Sequence, residues 1–484
     1  MEKAIQHMCA ILPYGPVIGR DEDRKKIIEL ILKDEQTDDA NFHVISIVGM
    51  AGVGKTTLAR LVYNDDAVKH FNPRAWICVS DDFDVMMVTK ALLESVTSQP
   101  CHLKELNEVQ VKLASELEGK KFLLVLDDLW NENYGLWEAL LPPFSAGAAG
   151  SRIIVTTRNA SVGKVMGAVQ SYNLDFISDN DCWTIFVQHS LMNENVGRPG
   201  NSGLIRERIL ERCRGLPLAA RTLGGLFRGK ELDEWEDIMN GKLWSSSNMG
   251  SDIFPILRLS YHHLPHHLKR CFAYCSLFPR DYEFEEKQLI LLWMAEGLIY
   301  QAEGDKPMED LGGEYFRDLL SRSFFQQSSS NKSRFVMHDL ISDLAQWVAG
   351  ISYFRLETKL EGNERSKVSR KARHLSFVGS RYDGAKKFEA ISEFKHLRTF
   401  LPLMAPYVGY SYLSYHIINQ LLPKLQNLRV LSLSGYRIVY LPETIGDLKH
   451  LRYLDLSRTQ LRSLPASVST LYNLQTLLLE NCSS

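Results

Sequence analysis

The chain has 484 residues, 45% of them hydrophobic and 24% charged, with a formal net charge of −2. That length exceeds one hydrophobic core, so roughly two to four domains are expected. The near-neutral balance excludes a global basic footprint for nucleic acid, and the ordinary apolar fraction excludes a disordered or fibrous chain.

Strand-like and helical patterns alternate from Phe42 to about Asn173. The apolar run 42–48 reads as a first strand. It is followed by Gly49-Met-Ala-Gly-Val-Gly-Lys-Thr-Thr57 and a helical pattern to Tyr63. Glycines at 49, 52 and 54 permit backbone angles and close approaches that a Cβ would hinder. Successive N–H groups of such a loop, including those of Val53 and Thr57, and the helix start behind it can cradle a phosphate. Lys55 can then reach β- and γ-phosphates, and the Thr56 hydroxyl can ligate Mg²⁺. Residues 74–80 read as a second strand, and 85–97 and 103–117 as helices. Residues 122–127 are apolar for both faces of a sheet, the pattern of a central strand, and 152–157 form a fourth.

Strands alternating with helices imply an α/β fold with a parallel sheet and ligands at its carboxyl edge. Asp127 and Asp128 end the third strand at that edge. Asp127 is assigned to the metal and Asp128 to polarising a water. Arg158, after Thr156 and Thr157, is a cation for a γ-phosphate. Each residue alone has a bland reading as a cap or surface group; the loop and the acidic strand together point to a nucleotide.

Residues 178–260 look helical, with Ser178 and Asp181 as a helix-start box. Gly215-Leu-Pro217 breaks one helix and starts another. Residues 288–299 form an apolar helix with Gly297 as its stop. Runs 323–327 and 334–337 around a polar turn suggest a hairpin, so this region is compatible with a winged helix.

The C-terminal segment repeats with a period of 23. Leu425, Leu448 and Leu471 align; so do Leu428, Leu451 and Leu474; Leu431, Leu454 and Leu477; and Leu433, Leu456 and Leu479. This L-x-x-L-x-L pattern is a leucine-rich repeat, whose leucines stack inward. Recognition would then fall to strand residues expected to be exposed: Arg429, Ser432, Arg452, Asp455 and Gln475. Residues 373–377 and 397–401 fit irregular opening repeats.

The eight cysteines include no CxxC pair, and Cys271 and Cys275 lack a matching histidine pair. Reduced, mostly buried thiols are expected, not zinc or disulfides. No secretory signal or membrane span is visible, so a cytoplasmic location is expected.

The order of these motifs resembles the plant NB-ARC leucine-rich-repeat disease-resistance proteins, from Val17 to Ser484. Val17-Ile-Gly-Arg20 is similar to that family's entry motif, and residues 49–57 to its phosphate loop. Residues 71–80, 123–130, 150–158, 215–219 and 271–279 and Met337-His-Asp339 match its further motifs in order. Trp130 is typical of the coiled-coil subclass. The resemblance implies a P-loop NTPase sheet, a helical domain, a winged helix and a repeat solenoid. The corresponding boundaries are a remnant at 1–16, a nucleotide-binding domain at 17–175, helices at 176–249, the winged helix at 250–347, linker and irregular repeats at 348–420 and repeats at 421–484. It also implies that Val17, Ile18 and Arg20 contact adenine and ribose, that Pro217 and Leu218 pack on the adenine side, and that His338 reaches the β-phosphate of ADP.

In that family ADP holds a closed form, and exchange for ATP on pathogen perception opens it and allows self-association. A pathogen effector or guarded host protein would bind the repeats. The short start and the end within a repeat set the expectation of a fragment or truncated product without the family's N-terminal domain. Two alternatives stand beside the switch: a turnover ATPase using Lys55, Thr56, Asp127, Asp128 and Arg158, and a DNA-binding regulator using the winged helix. A polar turn with one lysine and an apolar preceding helix disfavour nucleic acid.

Overall fold

The structure is a computed structural model and describes residues 16–33, 41–79, 83–167, 170–190, 202–241, 253–299, 306–328, 331, 333–356, 371–384, 387–388, 391, 394, 396–404 and 411–482. The chain divides into two compact units, residues 1–260 with 327–332, and residues 261–326 with 333–484. Ser80, the last residue of the expected second strand, lies outside the described residues.

In the first unit, α1 (Asp21–Leu32) precedes a sheet of strands β1 (Phe42–Val48), β2 (Arg74–Cys78), β3 (Leu123–Asp127), β4 (Ser151–Thr157) and β5 (Gln170–Asn173). Among the described residues the order is β2-β3-β4-β1-β5, and every pairing is parallel. Each residue of β3 is buried, as its continuous apolar pattern requires of an inner strand. The edge strand β5 is Gln-Ser-Tyr-Asn, too polar to announce itself by pattern. Helices α2 (Lys55–Tyr63), α3 (Val85–Thr97), α4 (Leu106–Leu117), α5 (Tyr134–Leu140) and α6 (Ala160–Val165) make the crossovers. Asp84 starts α3 by accepting from the Met87 N–H at 3.0 Å. The helix expected from residue 103 begins at Leu106.

The register places the loops. Val48 lies beside Thr157, and Leu126 beside Val155. The turns leaving β1, β3 and β4 therefore share one edge. Buried Arg152 donates to Ile31 O at 3.0 Å and Lys33 O at 2.8 Å, holding the last carbonyls of α1 against β4.

Helices α7 (Asp179–Ser190), α8 (Ser202–Cys213), α9 (Pro217–Phe227), α10 (Leu232–Asn240) and α11 (Phe254–His262) follow. Ser178 opens α7 as expected, its Oγ accepting from the Asp181 N–H at 3.1 Å. Pro217 occupies the first turn of α9, where a missing N–H costs nothing. Phe186, Phe227 and Trp235 pack this layer, with Trp235 edge-on to Phe186 at 5.9 Å.

Residues 266–349, all but 327–332 of the second unit, carry α12 (His266–Tyr274), β6 (Phe284–Glu285), α13 (Glu286–Glu296), α14 (Met308–Ser321), β7 (Gln326–Gln327), β8 (Arg334–Val336) and α15 (Asp339–Ala349). The expected hairpin is shorter than its pattern. β8 pairs antiparallel with β6, and the sheet order is β6-β8-β7. Residues 329, 330 and 332 of its turn lie outside the described residues. Leu289, Ile290, Leu292, Trp293 and Met294 bury most of α13, which stops at Gly297 with φ +70°. Its only cation is Lys287, so it offers no basic face to DNA.

Strands β9 (Tyr353–Leu356), β10 (His374–Gly379), β12 (Thr399–Met404), β14 (Val430–Ser432), β15 (Tyr453–Asp455) and β16 (Thr476–Leu478) form one parallel sheet in chain order. Beside it, β11 (Tyr382–Asp383) pairs with β13 (Tyr412–Leu413). The aligned leucines are buried at 425, 428, 431, 433, 448, 451, 454 and 456. Leu477 and Leu479 of the next turn are exposed. The opening repeats supply β10 and β12.

The expectation of an exposed recognition strand is corrected here. Ser432 is 2% exposed and Asp455 4%, because α13 lies across β14 and β15. Arg429 is half-buried and donates to Glu296 O at 2.9 Å. Of the expected residues, Gln475 is exposed and Arg452 half-buried.

Glu296 carries this contact. Its Oε1 accepts from Thr399 Oγ1 at 2.5 Å and lies 3.5 Å from His374 Nδ1. Burial pushes its carboxyl up, but the hydrogen bond and charge of His374, with Thr399 and Arg429, outweigh that and hold it below the usual range. A carboxyl with a depressed folded pKa stabilises the fold above its unfolded value and loses that as pH falls through the folded one. The second unit is therefore expected to lose stability on acidification from the ordinary carboxylate range downward. Glu296→Gln should cost about 1–3 kcal/mol at neutral pH and flatten this acid loss. Thermal unfolding of the full chain across pH, with amide exchange at β12 and β14 to assign the transition, checks it.

Candidate functional site

The site begins at the end of β1. Gly52 and Gly54 have φ of +78° and +103°, angles that a side chain resists. A Cβ on Gly52 would also lie 3.1 Å from Leu218 Cβ. Gly54 starts α2, and no described side chain caps that end. The first-turn N–H groups of Lys55, Thr56 and Thr57 are thus aimed where an anion would sit, with the helix dipole behind them. Val53 is buried beneath the loop, and its N–H donates to Met50 O at 3.3 Å, closing the turn.

Lys55 is 7% exposed, and its Nζ donates to Gly49 O and Met50 O, both at 3.0 Å. The ammonium is folded over its own loop, at the position from which a phosphate would draw it.

Thr56 and Asp127 come together from separate elements. Thr56 Oγ1 donates to Asp127 Oδ1 at 2.9 Å, and Thr156 Oγ1 donates to the same oxygen at 2.5 Å. Burial pushes the Asp127 carboxyl up, while hydrogen bonds from Thr156 and Thr56 and the charge of Arg60 pull against it. A hydroxyl and a carboxylate within hydrogen-bond reach form an oxygen-only pair. That suits Mg²⁺, which takes one or two protein oxygens and completes its shell with water and phosphate. Groups of three or more His, Cys, Asp or Glu able to hold a metal are absent among the described residues, and Cys271 and Cys275 are free thiols.

Asp128 follows in a left-handed turn with φ +53°, its N–H donating to Thr156 Oγ1 at 2.8 Å. Its Oδ2 accepts from Trp130 Nε1 at 3.0 Å and lies 3.8 Å from Arg158 Nη2. The Arg158 guanidinium stands 4.3 Å over the Trp130 ring. The two residues assigned to water and γ-phosphate are therefore joined to each other, through a tryptophan to which the sequence pattern assigns no role.

Arg20 is a second unforeseen connector. Its Nη2 donates to Val53 O at 2.8 Å and Asp175 O at 2.9 Å, and its Nη1 to Asp23 Oδ2 at 2.7 Å. Its buried guanidinium thus fixes the loop to the chain after β5. Val17 and Ile18 precede it, half-buried. On the helical side, the Leu218 N–H donates to Gly52 O at 3.3 Å, and Pro217 stands half-buried beside it. The connections from Thr156 and Asp175 become legible only once the sheet brings the ends of β3, β4 and β5 to one edge; that to Asp23 is local, three positions along the chain.

His338 belongs to the second unit, whereas the constellation above consists of first-unit residues alone. His338 precedes α15, and its Nδ1 accepts from the Leu340 N–H at 3.2 Å.

Asp127→Asn should leave thermal stability unchanged or raise it, because a buried carboxyl with a raised pKa costs stability once ionised. The same variant should lose at least about tenfold in the Mg²⁺-dependent tightening of ATP, a loss of about 1.4 kcal/mol. Thermal unfolding with and without MgCl₂ and ATP reads both.

Comparison with known proteins places the chain. Residues 20–196 match the NB-ARC domain, 277–345 the disease resistance protein winged helix domain, and 374–484 a leucine-rich repeat region. An RPP13-like disease resistance protein 1 of Arabidopsis thaliana is 46% identical over 97% of this chain and 44% of its own length. Disease resistance protein RGA2 of Solanum bulbocastanum is 40% identical over 98% of this chain and 45% of its own. Disease resistance protein RPM1 of Arabidopsis thaliana is 31% identical over 70% of this chain and 38% of its own. The chain spans less than half the length of these relatives. With an NB-ARC sheet, a winged helix and leucine-rich repeats in that order, it belongs to the plant NB-ARC leucine-rich-repeat disease-resistance proteins.

Proposed function

We propose that this chain is the nucleotide switch of an intracellular plant immune receptor. ADP holds it closed at rest, and exchange for ATP after pathogen perception opens it. The observation that carries this reading is the tie between the phosphate loop and the helical segment, Leu218 N–H to Gly52 O, backed by Arg20 on Val53 O. A ligand on the loop touches a backbone already shared by the sheet and α9. Its binding energy can then be expressed as a shift in how these elements associate.

In this reading Lys55 and the loop N–H groups hold the β-phosphate. Thr56 and Asp127 hold Mg²⁺, which would supply charge neutralisation between phosphates. Val17, Ile18, Pro217 and Leu218 enclose the base. Moving a switch from 1:99 to 99:1 takes a differential affinity of about 5.5 kcal/mol between states. Steady turnover is disfavoured by the engagement of Asp128 with Trp130 and Arg158, which leaves its carboxylate poorly disposed to polarise water. The repeats would receive an effector or guarded host protein, and opening would permit self-association. No helix among the described residues is long and apolar enough to cross a membrane.

Protein purified without added nucleotide should yield ADP on extraction, in near-equal amount to the chain, with negligible steady hydrolysis. Lys55→Arg should lose that ADP, because a planar fork replaces a compact ammonium. Unchanged ADP content in the variant, or rapid turnover in the wild type, contradicts the reading. We also assign to His338 the coupling of the second unit to nucleotide state. His338→Ala should speed ADP release by about tenfold, equivalent to roughly 1.4 kcal/mol, and an unaltered off-rate removes it from the mechanism.

A further inference from the structure

Trp130 is 38% exposed, large and apolar, and contributes little to the core. Its two polar engagements are with residues at the candidate site. The indole N–H donates to Asp128 Oδ2 at 3.0 Å, and the ring face carries the Arg158 guanidinium at 4.3 Å. Arg158 Nη2 closes the triangle at 3.8 Å from the same Asp128 oxygen. The turn beneath is held to β4, with Asp128 N–H on Thr156 Oγ1 at 2.8 Å and Leu129 N–H on Thr156 O at 2.8 Å.

We propose that Trp130 is a specificity-determining residue that biases the site toward a nucleoside diphosphate by holding Arg158 against Asp128. This rests on the nucleotide reading above. A guanidinium attracted to an aromatic face and a carboxylate must give up part of both attractions to serve a third anion. A γ-phosphate is such an anion. ATP therefore bears a cost that ADP, which ends at the β-phosphate held by the loop, does not. The carboxylate is under the same restraint: while its Oδ2 accepts from the indole N–H, it is a weaker base for water. Trp130 thereby acts through Arg158 and Asp128 as a positioning residue. Its two interactions are separable, since phenylalanine keeps a ring for the guanidinium and removes the N–H.

The test is equilibrium binding of ADP and of β,γ-imido-ATP, each with Mg²⁺, to the 484-residue chain stripped of nucleotide. Trp130→Ala should tighten imido-ATP relative to ADP by roughly fivefold to tenfold, the scale of one cation–π contact and one charged hydrogen bond in part desolvated surroundings. Trp130→Phe should shift the ratio less. Melting temperatures of both variants should match wild type. In an Arg158→Ala background the Trp130→Ala effect on the ratio should vanish, since the two act through one another. A Trp130→Ala ratio equal to that of wild type overturns the inference, as does a shift that survives in the Arg158→Ala background. Wild-type protein that binds neither nucleotide refutes the nucleotide reading itself. ADP binding with an unmoved ratio refutes the role of Trp130 alone.

Discussion

A buried carboxylate at the end of an inner strand governs the first unit. Asp127 closes β3, whose apolar residues place it inside the sheet, where ionisation is costly. The surroundings answer that cost with two threonine hydroxyls, Thr56 from the helix after the phosphate loop and Thr156 from the neighbouring strand. Those hydrogen bonds set the distance between loop and sheet. Thr156 also holds the Asp128 N–H, so the same hydroxyl fixes the turn that carries Asp128 and Trp130. A divalent cation at Thr56 and Asp127 would discharge the electrostatic cost directly. In the function proposed above, nucleotide binding would thereby be linked to the stability of the sheet edge.

From that edge, two connectors extend the influence of a ligand. Arg20 ties Val53 O to Asp175 O, and Leu218 ties Gly52 O to α9. Both act on loop carbonyls and not on the N–H groups at the start of α2, where an anion would sit. The loop can thus bind phosphate with one set of backbone groups while its position is read by another. In the second unit, a different buried carboxylate plays a comparable part. Glu296, at the end of α13, meets Thr399 and His374 of the repeat sheet, and Arg429 meets its carbonyl. The winged helix and the opening repeats are thereby joined through desolvated polar contacts, which specify geometry more sharply than apolar packing does.

Much of this was legible in the residues, for identifiable reasons. Strands β1 to β4 and the repeat columns are apolar with a clear period, and the loop at 49–57 has few alternative uses. The edge strand β5 was invisible because Gln-Ser-Tyr-Asn buries little. Ser432 and Asp455 look like solvent-facing strand residues by alternation, and they would be so in an isolated solenoid. They are buried because α13 lies on that face, a packing fact that no local period encodes. Asp128 and Arg158 follow β3 and β4 at the carboxyl edge, as the strand pattern implies, but their engagement through Trp130 depends on a left-handed turn at Asp128 and on side-chain direction. Arg20 could be matched to a motif, yet its hold on Val53 O spans 33 positions of sequence and emerges only from the fold.

In the proposed switch, one bound nucleotide steadies both the phosphate loop and the helical segment tied to it. Hydrogen–deuterium exchange of the full chain, with and without saturating ADP, tests this most directly. ADP should slow exchange at residues 52–57 and at 218–220 together, with the Leu218 amide among the protected. Protection confined to the loop, with 218–220 exchanging as in the nucleotide-free protein, would contradict it.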